Sequence, residues 1–397
     1  MAPFLQTPTG HGQARAIGRV NPTDPLEAGL PDMFSVPLSD ILVRGNNNFD
    51  LVRITAAASV IVSHAFAQVY GAATAEPLAS LSVYTLGQHA VNIFFLLSGL
   101  LVSASLDRTR SLVAFATSRS LRIFPGLIVC VVVVAFILGP IVTTHDVGAY
   151  FTSPDPYSYV VGTVALVSTA APLPGVFDTL PEAGAVNTPL WTLKYEVLVY
   201  AALVIIAAVG IWRRPLLFWL FFSLLVFFHT AAEVKHDHPD DHVMLDHLLR
   251  FMFCFFLGSA AYRLRNVVRL SAHCALLAAA LLLVINGTIL EESIGYGAVG
   301  YLILCFAALP MNSLRMLSAR GDISYGLYIY GWPVAQSVLL ISPDFGAIEL
   351  AVVSLVVASL LAAASWLLIE RPALNLKRIA IAPHPHRLAG TCQVAAS

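Results

Sequence analysis

Ten apolar stretches, most of them near twenty residues long, recur along this chain at about 52 to 70, 86 to 106, 122 to 142, 191 to 211, 215 to 231, 247 to 264, 272 to 290, 295 to 311, 322 to 341 and 347 to 369. An α-helix rises about 1.5 Å per residue, so about 20 residues cross the roughly 30 Å hydrocarbon core of a bilayer. The pattern predicts an all-α fold, a polytopic transmembrane helical bundle of about ten spans. Composition agrees: 58% of the 397 residues are hydrophobic and 11% charged, against about 45–50% and about 25% in soluble domains. A soluble globular enzyme is therefore excluded. With 22 Lys and Arg against 23 Asp and Glu, the chain has no general attraction for nucleic acid.

Basic residues collect on the cytoplasmic side of a membrane protein, which tests the span list independently. Clusters fall before or at the first span (Arg15, Arg19, Arg44, Arg53), between the second and third (Arg108, Arg110, Arg119, Arg122) and after the fourth (Arg213, Arg214). Others follow the sixth (Arg263, Arg265, Arg269), the eighth (Arg315, Arg320) and the tenth (Arg371, Lys377, Arg378, Arg387). Nineteen of the 22 basic residues thus lie on one side, while loops 71 to 85, 143 to 190, 286 to 294 and 342 to 346 hold none. Both termini are expected in the cytoplasm, with residues 1–45 a disordered leader, 46–372 the membrane domain and 373–397 a tail. The apolar segment 157 to 172 is short for a span and reads as re-entrant or interfacial. Five cysteines without a CxxC or ligand-like spacing give no expectation of disulfides or structural zinc.

Chemistry-bearing residues stand out against this apolar background. Arg53 and His64 lie eleven positions apart on the first span, three helical turns plus about 20°, so they share a face about 16 Å apart along the axis. An imidazole near mid-membrane can take a proton from a hydroxyl or act as a nucleophile; it can equally be a packing group that hydrogen-bonds between helices. Arg119 and Arg122, at i and i+3, present two guanidiniums on one face, a fork suited to phosphate, although such pairs also set topology. Glu196 follows Trp191 and Lys194 about five residues into the fourth span, where a carboxylate needs a role or a partner; Arg250, at similar depth in the sixth, is the candidate to neutralise it.

Phe94-Phe95-Leu96-Leu97-Ser98-Gly99 offers a close-packing face. Tyr325, Tyr328 and Tyr330 place hydroxyls in a span expected to kink or break near Pro333. Glu370-Arg371-Pro372 closes the last span, where Glu370 is expected to meet a neighbouring loop. His236, His238, His242 and His247 crowd a polar loop that matches no defined metal site and reads as solvated.

Taken together, these residues resemble acyltransferase family 3, integral membrane O-acyltransferases that modify surface polysaccharides and other glycans. The resemblance rests on Arg53 and His64, FFLLSG at 94 to 99, Arg119-x-x-Arg122 followed by Pro125, NTPLWTLKYE at 187 to 196, ISYGLYIYGWP at 323 to 333 and ERP at 370 to 372. It implies ten helices in a bacterial-type inner membrane, acetyl-CoA or another acyl-CoA as donor, a glycan or glycolipid hydroxyl as acceptor among membrane lipids, and no metal. It also implies that His64 and Arg53 and the arginine pair are critical. On this basis His64 and Glu196 are the catalytic candidates, Arg53, Arg119 and Arg122 the donor-binding candidates, and Arg250, Tyr328 and Trp191 the acceptor-binding candidates. One departure is visible: where the family often has His in the ninth-span motif, this chain has Gly331. The rival reading is a proton-coupled transporter with His64, Glu196 and Arg250 as a relay, although no internal repeat supports it.

Overall fold

A computed structural model describes residues 35–43, 47–72, 75–109, 111–169, 171–234, 243–288, 290–311 and 321–380. The leader up to residue 34, the tail from 381, Arg44, Arg110, Arg315 and Arg320, and the loop histidines His236, His238 and His242 lie outside them. The long helices are α1 Phe49–Tyr70, α2 Leu86–Arg108, α3 Leu112–Val133, α4 Asp155–Val164, α5 Leu193–Ala208, α6 Pro215–Val234, α7 Val243–Arg263, α8 Ala272–Ile285, α9 Ser293–Ala308, α10 Ser324–Ile341, α11 Ala347–Ser365 and α12 Arg371–Ala380. Among the described residues the only strands are β1 Ser35–Pro37 and β2 Arg269–Ser271, paired antiparallel with Ser35 opposite Ser271.

Each predicted apolar segment forms a helix, but among the described residues seven helices are long and apolar enough to cross a membrane. Helices α8 and α9, with 14 and 16 residues, rise only about 21 and 24 Å. Helix α10 is long enough but carries three tyrosines and a glutamine, and most of its residues are buried in protein. Hydropathy reports contact with lipid, and α10 has little. Segment 157 to 172 contributes α4, ten residues and about 15 Å long, which cannot cross and packs its fully buried Tyr159 beside α3.

Two boundaries differ from the sequence reading. The third helix starts at Leu112, where Ser111 Oγ accepts the Ala114 N–H, and continues through a π-turn to Val142. Arg119 and Arg122 therefore lie on the helix and not at its mouth, and both line a cavity inside the bundle. Helix α10 runs unbroken through Pro333. Proline leaves the carbonyl of Ile329 without its helical donor, and Asn187 Nδ2 fills the vacancy at 2.9 Å with the Cys130 thiol at 3.3 Å. Asn187 opens the NTPLW run; its side chain pins the loop before α5 onto α10.

The close-packing expectation for Ser98-Gly99 holds. Helices α2 and α7 approach so tightly that a Cβ on Gly99 would collide with the Phe255 carbonyl, and one on Gly258 with that of Leu96. Ser103 donates to Ser259 across the same seam at 3.0 Å.

Candidate active site

A cavity of about 320 Å³ opens among α1, α2, α3, α5 and α10 and the end of α11. Its arginine end gathers Arg53 of α1, Arg119 and Arg122 of α3, Asp322 and Ser324 at the start of α10, Trp366 after α11, and Leu374 of α12. Its other end is walled by Val91, Phe94 and Phe95 of α2, Leu193 of α5, Thr192 and Tyr328, with Ser98, Glu196 and Tyr200 between. From Tyr200 to Thr192 the rise is eight residues, or about 12 Å, which sets the depth.

Asp322 organises the charged end. It accepts from Arg53 at 2.9 Å and from Arg122, and Ser324 Oγ donates to its other oxygen. Arg122 also lies 3.6 Å from Glu370 Oε2, whose Oε1 accepts from Ser365 at 3.0 Å. Glu370 thus meets the third helix, not a loop as expected. Arg119 differs from its two neighbours: among the described residues it forms no ion pair, its Nη2 donates only to Ser118 Oγ at 3.3 Å, and its Nε is buried without a partner. Glu196 accepts from Tyr200 at 2.5 Å, and Tyr200 meets Ser98 at 2.9 Å. Arg53, Arg119 and Arg122, not Arg250, share a cavity with Glu196.

Arg250 lies elsewhere. Its guanidinium sits 4.9 Å from the Tyr84 ring centre and 4.7 Å from that of Phe251, and Tyr84 in turn donates to Glu292. Trp191 joins the same aromatic cluster, 4.7 Å from His247 and 5.7 Å from Phe251. The expected Glu196–Arg250 pair is thus not formed, and neither Arg250 nor Trp191 lines the cavity. Tyr328 does line it, but its hydroxyl is engaged by Thr192 Oγ1 at 2.5 Å and the Pro189 carbonyl at 2.9 Å.

His64 shares with Arg53 a face of α1 turned toward α10, as the spacing predicts. Its half-buried ring meets the Trp332 ring edge-on at 4.9 Å, and Nδ1 is enclosed with no partner. Two helices locate it relative to the cavity. Gly87, beside His64 Nε2, is four residues from the cavity-lining Val91, and Trp332 is four residues from the cavity-lining Tyr328. Both intervals rise about 6 Å, so His64 lies one turn beyond the apolar end. At Gly87 a Cβ would stand 2.8 Å from Ser63 Oγ and 3.9 Å from His64 Nε2, so the two helices meet closely beside that nitrogen. A transporter relay of His64, Glu196 and Arg250 is not assembled, since the three occupy separate surroundings.

Sequence reasoning overlooked Asp322, Ser98 and Tyr200. Asp322 carried a signal, a lone acid at a helix entrance on the side where the arginines collect. Ser98 and Tyr200 carried none, since hydroxyls in apolar helices are common glue. Glu76 was also missed: only 3% exposed, it accepts from Ser63 and from the Leu86 N–H at 2.5 Å, tying the C-terminal part of α1 to the start of α2.

A family model described as an acyltransferase domain, Acyl_transf_3, matches residues 46–370. The chain belongs to this family. This acyltransferase is 28% identical over 331 residues to an O-acetyl transferase of Shigella phage Sf6, covering 82% of this chain and 95% of that protein. It is 29% identical over 372 residues to nodulation protein 10 of Rhizobium leguminosarum bv. viciae, covering 85% and 95%. No solved structure matches it. The family match and the O-acetyl transferase relative support an O-acyltransferase, and seven apolar helices make it an integral membrane protein. At Gly331 a Cβ would stand 2.7 Å from Ile61 Cγ1, so a side chain there requires Ile61 to shift.

Proposed function

We propose that this acyltransferase moves an acyl group, acetyl in the simplest case, from cytoplasmic acyl-CoA to a hydroxyl of a glycan or glycolipid within a bacterial inner membrane. The observation that carries the reading is Arg119, an unpaired guanidinium at one end of a cavity whose apolar end lies one turn from His64. Phosphate oxygens complete the hydrogen bonds that Arg119 lacks, with Arg53 and Arg122 beside it in orientations held by Asp322. The thioester arm then runs along the cavity past Ser98 and Glu196. Nineteen of 22 basic residues on one side support a ten-span topology with both termini and the arginine end in the cytoplasm.

The chemistry follows from the remaining gap. An attacking oxygen sits within about 3 Å of both its base and the carbonyl carbon, and these two distances together fill the one-turn offset between cavity and His64. His64 takes the acceptor proton as the oxygen attacks. The C–O ester bond forms, the C–S bond breaks, and the proton passes to the departing CoA thiolate. Glu196, bonded to Tyr200, lies along the arm and orients it.

The test is CoA release from acetyl-CoA by the purified protein in lipid, with acceptor glycans analysed by mass spectrometry in cells with and without the gene. No thioester turnover by the wild type with any acceptor extract, in protein shown to be folded, sinks the proposal.

A further inference from the structure

We propose that Phe94 is the stop that limits the donor's acyl chain, making it the specificity-determining residue at the closed end of the cavity. The inference rests on the donor arm lying in this cavity, as proposed above.

Polarity along the cavity orients the donor. Every charged lining residue except Glu196 belongs to the arginine end, while Val91, Phe94, Phe95 and Leu193 wall the other. The two hydroxyls there do not alter its character. Thr192 and Tyr328 bond to each other, one donating to the other, and both hydroxyls lie within reach of the Pro189 carbonyl, at 3.2 and 2.9 Å, which takes the second proton. Their two protons are thus spent among three oxygens, and none is left for a ligand. An end without a free donor suits an aliphatic group.

Phe94 closes that end. Its ring meets Tyr328 edge-on, 6.1 Å between centres at 73°. Behind it lies packed side-chain matter, not an opening, for Phe94 is packed against the cluster of Ala57, Ile61 and Leu327. Ile61 in turn fills the space that Gly331 leaves vacant. Truncating the ring therefore leaves a dry apolar hollow continuous with the cavity and backed by α1 and α10. A longer acyl chain would enter it, gaining about fourfold in affinity per buried methylene.

The experiment is a series of acetyl-, butyryl-, hexanoyl- and octanoyl-CoA, with CoA release followed for the wild type, Phe94→Ala, Phe94→Leu and Arg119→Ala. We expect the wild type to prefer acetyl-CoA. Phe94→Ala should shift the butyryl-to-acetyl ratio of kcat/KM by about tenfold or more, two methylenes at the quoted gain, and Phe94→Leu by less. Phe94→Leu also keeps the test open should the alanine variant fail to fold. A folded, active Phe94 variant pair with the wild-type chain-length profile overturns the proposal, as does a wild type that prefers hexanoyl-CoA. Arg119→Ala separates the two claims: it should raise KM equally across the series, and if it leaves every KM unchanged the donor does not lie in this cavity and the functional reading fails first.

Discussion

Asp322 accepts a hydrogen bond from Arg53 at 2.9 Å across 269 positions of sequence, and the same oxygen accepts from Arg122. One half-buried carboxylate thereby ties α1, α3 and the start of α10 together at the arginine end of the cavity, and it divides the three arginines by role. Arg53 and Arg122 are already partly neutralised, whereas Arg119 is not.

Arg119→Ala should chiefly raise the KM for acyl-CoA. Each charge-assisted hydrogen bond to phosphate contributes about 1.5–3 kcal/mol, or roughly 10- to 150-fold. Arg119→Lys should recover only part of this, because a point charge lacks the planar fork. Saturation kinetics with acyl-CoA and with a phosphate-poor acyl-pantetheine check it: equal losses with both donors would place Arg119 outside phosphate recognition.

Arg122→Ala should instead lower stability, since it leaves the 2%-exposed Glu370 without its cationic partner and Asp322 with Arg53 alone. Breaking one partner of a buried pair costs about 3–5 kcal/mol. Thermal unfolding in detergent measures it, and pairing Arg122→Met with Glu370→Gln should recover much of the loss. A thermally neutral Arg122→Ala variant would contradict the ion-pair assignment.

His64→Ala should abolish transfer while acyl-CoA binding stays within about twofold of the wild type, because the imidazole lies a helical turn (about 6 Å) beyond the cavity. Equilibrium binding alongside turnover distinguishes the two. Lost binding would draw His64 into the donor site, and retained turnover would return it to packing.

Asn187→Ala removes the principal donor to the Ile329 carbonyl that Pro333 leaves open. An unsatisfied buried acceptor costs about 1–3 kcal/mol, and Cys130 offers only a weak substitute. The expected result is a lower unfolding temperature, reversed in part by Pro333→Ala, which restores the helical N–H. Additive losses in the double variant would disprove the coupling.

Single cysteines at Thr109 and Asp178, in a background lacking the native cysteines, should react with impermeant thiol reagents from opposite sides of the membrane. Labelling of both from the same side would refute the proposed topology.

Much of this architecture was legible because bilayer thickness acts on each segment separately. A run of about 20 apolar residues needs no partner to declare itself, and the basic loops mark sides by a local rule. The i, i+3 spacing of Arg119 and Arg122 and the eleven-residue interval from Arg53 to His64 likewise follow from helix geometry, and these residues do face common neighbours. The pairings could not be read this way. Glu196 and Arg250 match in depth yet sit in different clusters, because depth leaves the rotation and neighbours of each helix undetermined. Asp322, a lone acid at a helix entrance, became the hub once α10 was packed against α1, α3 and α11. Membrane helices meet through close packing at sites such as Gly99 and Gly258 and through scattered hydrogen bonds. That complementarity exists only between surfaces, so which carboxylate met which arginine, and that Arg119 was left without one, emerged from the assembled bundle.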